Sequence, residues 1–196
     1  MKVYVIRHGQ SEGNRTERNC GWSATPLSEL GHQQARRAGE LLQGISFDRV
    51  FCSDLVRTRQ TAQDALPGVK PEYTDLIREV SVGTLADRYI ADNAAQYGEA
   101  YWDSVRRQDF SAYGGETQAQ ICRRVRRFIR RLEELEGAER VAVFGHEGTV
   151  HQFLNYVLGA DIPLEHLHIA NASVTVFSYE NGVWSLEKFS HTGPLA

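Results

Sequence analysis

Two four-residue apolar runs, far apart in the chain, break into histidine in nearly the same way. Val3-Tyr4-Val5-Ile6 runs into Arg7-His8-Gly9, and Val141-Ala142-Val143-Phe144 runs into Gly145-His146. Short runs with no polar face read as strands buried on both sides, the pattern of a parallel sheet covered by helices. Parallel strands end at one edge of the sheet, so the two imidazoles emerge together there. Open α/β sheets take their ligands beyond the carboxyl ends of the strands, so these two ends also mark where a site belongs.

The rest of the chain fits this frame. Arg49 to Cys52 reads as another strand, with Ser53 or Asp54 as cap of the helix that follows. Ser28 caps a helix whose apolar face carries Ala35, Ala38, Leu41 and Leu42. From Thr117 to Leu135, the residues Ile121, Val125, Phe128, Ile129, Leu132 and Leu135 share one helical stripe. A helix after His146 runs through about Leu158. Val174 to Tyr179 and Val183 to Phe189 form a hairpin around Asn181-Gly182. Strands alternating with helices predict an α/β fold: a three-layer sandwich whose central sheet is mostly parallel and flanked by helices. The segment 85–115 fits the alternation poorly, is rich in Tyr and Trp, and is read as a small helical cap inserted in a single domain spanning 1–196.

Arg57 lies about one helical turn beyond the second strand, near the same edge. Two imidazoles and the guanidiniums of Arg7 and Arg57 then share one small volume. Like charges repel at short range, so such a cluster is unfavourable without an anion. Guanidinium forks match phosphate oxygens, a neutral imidazole is a competent nucleophile, and Gly9 leaves room for close approach. The pattern points to a phosphate monoester attacked by nitrogen. Taken singly, His8 reads equally well as a strand-end histidine, His146 is a weaker signal still, and Arg57 reads more readily as a surface arginine; the joint placement carries the inference.

Other chemistries find little support. The net charge of −3 argues against nucleic acid as partner, and the arginines of the 117–135 helix (Arg123, Arg124, Arg126, Arg127, Arg130 and Arg131) read as a solvated face. Cys20, Cys52 and Cys122 are odd in number and widely spaced, which fits neither a disulfide framework nor a thiolate metal site. His166 and His168 lack the ligands that would complete a metal site, and no metal or cofactor is expected. No apolar run is long enough for a membrane span and the start lacks a signal-peptide pattern, so a cytoplasmic location and no membrane partner are expected. Oligomeric state stays open, a homodimer included.

The residues around these positions resemble the histidine phosphatase superfamily, in its phosphoglycerate-mutase-like branch. The resemblance runs in order through Arg7-His8-Gly9-Gln10-Ser11-Glu12-Gly13-Asn14, then Cys20-Gly21-Trp22 with Thr25-Pro26-Leu27-Ser28 and Gly31 to Ala35. Ser53-Asp54-Leu55-Val56-Arg57 with Thr61-Ala62, Ile77-Arg78-Glu79 with Gly83, Gly114-Gly115-Glu116-Thr117, Gly145-His146-Glu147-Gly148 and Asn171-Ala172-Ser173-Val174 complete it. It implies a phosphohistidine intermediate on His8, a phosphate pocket of Arg7, Arg57 and His146, and Glu79 as general acid and then base. It also implies that Asn14 and the backbone at Cys20 and Gly21 bond the phosphate or leaving group. His8 must then be neutral, its other nitrogen donating to a backbone carbonyl, while His146 works better as a cation. The expected ligand is a small phosphorylated metabolite.

The chain departs from the family pattern in places. Leu85-Ala86-Asp87 stands where an acidic residue and a glycine are usual, and His151 where arginine is usual. Mutases of the family carry a tyrosine at the position of Val82, a lysine near Ile90 and a long insertion, all absent here; Arg106-Arg107 alone matches their arginine pair. The expectation is a phosphatase, with a cofactor-dependent phosphoglycerate mutase as the alternative.

Overall fold

The computed structural model describes residues 1–193. Lys2–Arg7 (β1), Arg49–Ser53 (β2), Glu72–Thr74 (β3), Arg140–Gly145 (β4), Val174–Glu180 (β5) and Val183–His191 (β6) form one sheet in the order β3-β2-β4-β1-β5-β6. The first four in that order run parallel, and β5 and β6 are antiparallel. β3 escapes a sequence reading because three residues, none buried, show no apolar run. At the hairpin turn both Asn181 (φ 51°) and Gly182 (φ 81°) are left-handed, as a two-residue type I′ turn requires.

Among the described residues seven α-helices accompany the sheet: Glu12–Arg15 (α1), Glu29–Leu41 (α2), Val56–Ala65 (α3), Ile90–Tyr97 (α4), Glu99–Arg107 (α5), Gln118–Glu133 (α6) and Glu147–Leu158 (α7). Alternation along β1 divides the core. Val3 and Val5 join Val141, Val143 and the stripe of α6 with Val150 and Phe153 of α7, whereas Tyr4 and Ile6 join Ala38 and Leu42 beside α2 and Ala62 of α3. In the α6 stripe Ile121, Val125, Phe128, Ile129 and Leu132 are all buried, each worth about 1.5–3 kcal/mol against an exposed reference. This is the expected three-layer sandwich.

The helix caps test the sequence reading locally. Ser28 accepts from the N–H of Gly31, and Thr117 forms a reciprocal capping box with Gln120. α3, by contrast, is preceded by Leu55 with no side-chain cap. The two expected caps are engaged elsewhere: the Ser53 hydroxyl lies against His146 and Asp54 holds Arg78. The segment 85–115 is helical as expected; some of its aromatic residues serve packing, while Tyr89 and Trp102 are exposed. Tyr101 and Phe110 are buried in the core cluster beside α6, Tyr97 meets Tyr113 edge to face, and the Tyr101 hydroxyl donates to Asn19 Oδ1 at 3.0 Å.

Candidate active site

Register brings the histidines together. Arg7 pairs with Gly145 across β1 and β4, so His8 and His146 are the next residues off the sheet edge. The His8 N–H extends the ladder by donating to the Gly145 carbonyl at 3.0 Å, and the ring centroids lie 5.2 Å apart. Both residues are buried. The glycine after His8 serves a purpose other than the one expected: a Cβ on Gly9 would lie 2.3 Å from the Gly31 carbonyl oxygen, so its missing side chain admits the start of α2.

His8 is held in one tautomer from both sides. Its Nδ1 lies 2.7 Å from the Gly9 carbonyl oxygen and donates to it; Nε2 accepts from Arg57 Nε at 3.2 Å. Nε2 is therefore the unprotonated nitrogen, as a neutral nucleophile requires, and its lone pair points at the guanidinium. Arg57 is fully buried on α3 and anchored to the 20–23 loop, donating from one terminal nitrogen to the Gly21 carbonyl at 2.8 Å and from the other to the Ser23 carbonyl at 3.4 Å. Thr61 braces the same group, accepting from the Gly9 N–H at 3.1 Å while donating to the Arg57 carbonyl at 2.7 Å.

His146 Nε2 sits 2.9 Å from Ser53 Oγ, and among the described residues its buried Nδ1 has no partner. Burial, then Arg57, holds the proton affinity of both imidazoles well below the ordinary value of 6.5; Arg7 adds to the effect in each. Burial and the two neighbouring guanidiniums thus work against the cationic His146 that the resemblance implies, and a phosphate dianion beside the ring would work for it.

Arg7 donates from one terminal nitrogen to Glu147 Oε1 at 3.1 Å and to the Ile169 carbonyl, while its buried Nε has no partner among the described residues. Burial pushes the Glu147 carboxyl up, against the pull of Arg7. Both residues border a cavity of about 710 Å³ shared with Gln34, Arg37, His168 and Asn171. Glu79 reaches the site from a loop. Its Oε1 accepts from the Val80 N–H at 2.9 Å, and its Oε2 faces the Gly148 N–H at 3.4 Å. A Cβ on Gly148 would come within 2.3 Å of Glu79 Oε1, so a side chain there would displace the carboxyl.

The remaining expected residues are occupied with one another. Asn14 Oδ1 accepts from both the N–H and the hydroxyl of Ser11 in the capping box of α1. Cys20 Sγ meets the Arg18 carbonyl and Ser11 Oγ, burial pushes its thiol up, and Gly21 presents its carbonyl to Arg57. All three cysteines are free. Arg106 is paired with Glu99 and Asp103 on the cap surface. Arg124 departs from the expected solvated face: it is turned inward and its side chain is 13% exposed. Thr149, Glu147, Glu116 and Trp22 carried no role in the sequence reading, and Ser53 only that of a helix cap. Ser53, Glu147, Glu116 and Trp22 stand inside the quoted motifs and Thr149 next to one; nothing else signalled them.

Among the described residues no helix is long and apolar enough to cross a membrane. Fold and site together define a protein built to hold a neutral histidine against guanidiniums at a sheet edge. The chain belongs to the histidine phosphatase superfamily, branch 1, whose model matches residues 3–192. It is 31% identical over 189 residues to the adenosylcobalamin/alpha-ribazole phosphatase of Salmonella typhimurium, covering 94% of this chain and 89% of that protein. A Salmonella choleraesuis protein named "Probable phosphoglycerate mutase GpmB" is 28% identical over the same length, covering 94% of this chain and 87% of its own. The structure of a mycobacterial glucosyl-3-phosphoglycerate phosphatase in complex with VO3 superposes with a TM-score of 0.85 at 26% identity, covering 96% of this chain and 98% of that one.

Proposed function

We propose that this protein is a phosphatase that hydrolyses small phosphate monoesters through a phosphohistidine on His8. The observation that carries the reading is the state of His8: buried, neutral, and held by Gly9 and Arg57 so that one ring nitrogen keeps its lone pair. His8 Nε2 attacks phosphorus as the ester P–O bond breaks, and Glu79 gives its proton to the leaving oxygen. Arg7, Arg57 and His146 stabilise the equatorial oxygens; His146 takes a proton when the dianion offsets the two guanidiniums. Water then attacks phosphorus, Glu79 takes a proton from it, and the P–N electron pair returns to Nε2. Asn14 and the backbone at Cys20 and Gly21 bond the phosphate or leaving group, and the Gly21 carbonyl also anchors Arg57. The pocket's charge comes from side chains, so turnover needs no metal.

The mutase alternative needs cations in the cap for a second anionic group. Arg106 is already doubly paired, and it borders a separate cavity of about 340 Å³ with Arg107, Gln118, His151 and Asp161. Hydrolysis is therefore favoured. The test is turnover of 4-nitrophenyl phosphate and 3-phosphoglycerate in the presence of a chelator. Phosphate release from both supports the reading. Activity abolished by the chelator, or isomerisation outrunning phosphate release, overturns it.

A further inference from the structure

Glu79 sits on a loop, so something other than the sheet must fix its position. The segment from Asp75 to Ser81 lies between the short β3 and the cap, outside every strand and α-helix. Trp22 and Thr149 each donate to one carbonyl of this segment, but a single side chain from α6 engages several. The Arg124 guanidinium donates to the carbonyls of Leu76 at 3.0 Å, Arg78 at 2.9 Å and Glu79 at 3.2 Å. It also makes a two-pronged pair with Glu116, at 3.0 Å from Nε and 2.8 Å from a terminal nitrogen. Glu116 in turn accepts from the Ser81 N–H at 2.9 Å and donates its own N–H to the Ser81 carbonyl at 2.8 Å. Loop carbonyls on one side and a carboxylate on the other thus engage all three guanidinium nitrogens. Both side chains are 13% exposed.

The geometry points to Arg124 and Glu116 as positioning residues for the Glu79 carboxyl: a largely buried ion pair that clamps the backbone on both sides of the proposed proton donor and never touches substrate. This inference rests on the phosphatase reading above. A rigid fork that binds several carbonyls at once suits the task, since an ammonium has no planar array of donors to offer. The Gly148 N–H, lying opposite Glu79, supplies the other wall, so the carboxyl is located between α7 and a loop pinned to α6.

A clamp that merely holds the fold together and one that aims a proton donor differ in one respect. Departure of an alkoxide needs a proton; departure of 4-nitrophenolate does not. kcat/KM, which reports steps through formation of the phosphohistidine, is therefore compared for glycerol 3-phosphate and 4-nitrophenyl phosphate in wild type, Glu79→Gln, Arg124→Gln, Arg124→Lys and Glu116→Gln. General acid catalysis contributes about 10²–10⁴-fold, and Glu79→Gln is expected to lose that much on the alkyl ester and far less on the aryl ester. Arg124→Gln is expected to lose about 10–100-fold on the alkyl ester and less than about threefold on the aryl ester, because a small misplacement forfeits part of that factor. Arg124→Lys and Glu116→Gln should show the same selectivity in weaker form and report on the clamp where Arg124→Gln does not fold. If Glu79→Gln shows no leaving-group selectivity, the acid role of Glu79 fails. If Glu79→Gln shows it but all the clamp variants that fold lose both substrates equally, or none, the clamp inference fails.

Discussion

The two sides of the proposed site are built by different means. On the nucleophile side, His8 and His146 leave adjacent parallel strands at paired positions, and the ladder itself extends to the His8 N–H. Arg57 is locked on a buried helix face. On the acid side, Glu79 rides a loop whose place is set by hydrogen bonds from Arg124, Glu116 and the Trp22 indole, which donates to the Glu79 carbonyl at 2.6 Å. Backbone ladders are cooperative and shared by many residues; side-chain clamps are few and separable. The first side should fail all at once when struck, and the second by degrees.

The sharpest test of this contrast is His8→Ala, which removes the attacking nitrogen outright. A loss on the order of 10⁴-fold or more in kcat/KM is expected, with no acid-labile phosphoenzyme trapped in a quench. A residual activity within tenfold of wild type would place the nucleophile elsewhere. Arg57→Lys keeps charge but loses the fork that bridges His8, Gly21 and Ser23; about 10²–10³-fold is expected, the scale of removing one preorganised donor. Retention of more than half the activity would show that charge alone suffices.

Burial of the two histidines also has a cost in acid. Their folded proton affinities lie below the ordinary value of 6.5, so as pH falls beneath 6.5 the unfolded chain takes up protons the folded chain refuses. Stability is unaffected above that pH and declines below it, until each folded value is reached. Each histidine contributes a slope of about 1.4 kcal/mol per pH unit. Denaturant unfolding of His146→Gln should therefore show a shallower decline between pH 6 and 5 than wild type, by about that amount; identical slopes would mean that His146 is not held neutral. The smallest effect is expected on the acid side. Trp22→Phe removes one of two donors to the Glu79 carbonyl while keeping a ring under Arg78, which stacks on Trp22 at 4.9 Å. Less than about fivefold is expected on an alkyl phosphate, since Arg124 still holds the loop.

The same division explains what could be read from the chain alone. His8, His146 and Arg57 were legible because strand pattern and helical spacing fix where their backbones go, and side chains at matching strand ends have little choice of neighbours. The α6 stripe and the Asn181-Gly182 turn were legible for the same local reason. Arg124 was not. By periodicity it belongs with the solvated arginines of its helix, and only the path of the 75–81 loop, a long-range outcome, turns it inward. Ser53 and Asp54 misled for a related reason: both types are good caps, but His146 and Arg78 compete for them through contacts that sequence spacing does not encode. Gly9 was assigned to a ligand although a neighbouring backbone needed the space.

In the proposed mechanism the bond from Arg57 Nε to His8 Nε2 parks the nucleophile. The lone pair that would attack is engaged by an N–H, so an adventitious electrophile must first break that contact. An incoming phosphate oxygen competes for the same donor, and its arrival frees the nitrogen at the moment a phosphorus atom is within reach. Idle reactivity and productive reactivity are thus separated by the placement of one hydrogen.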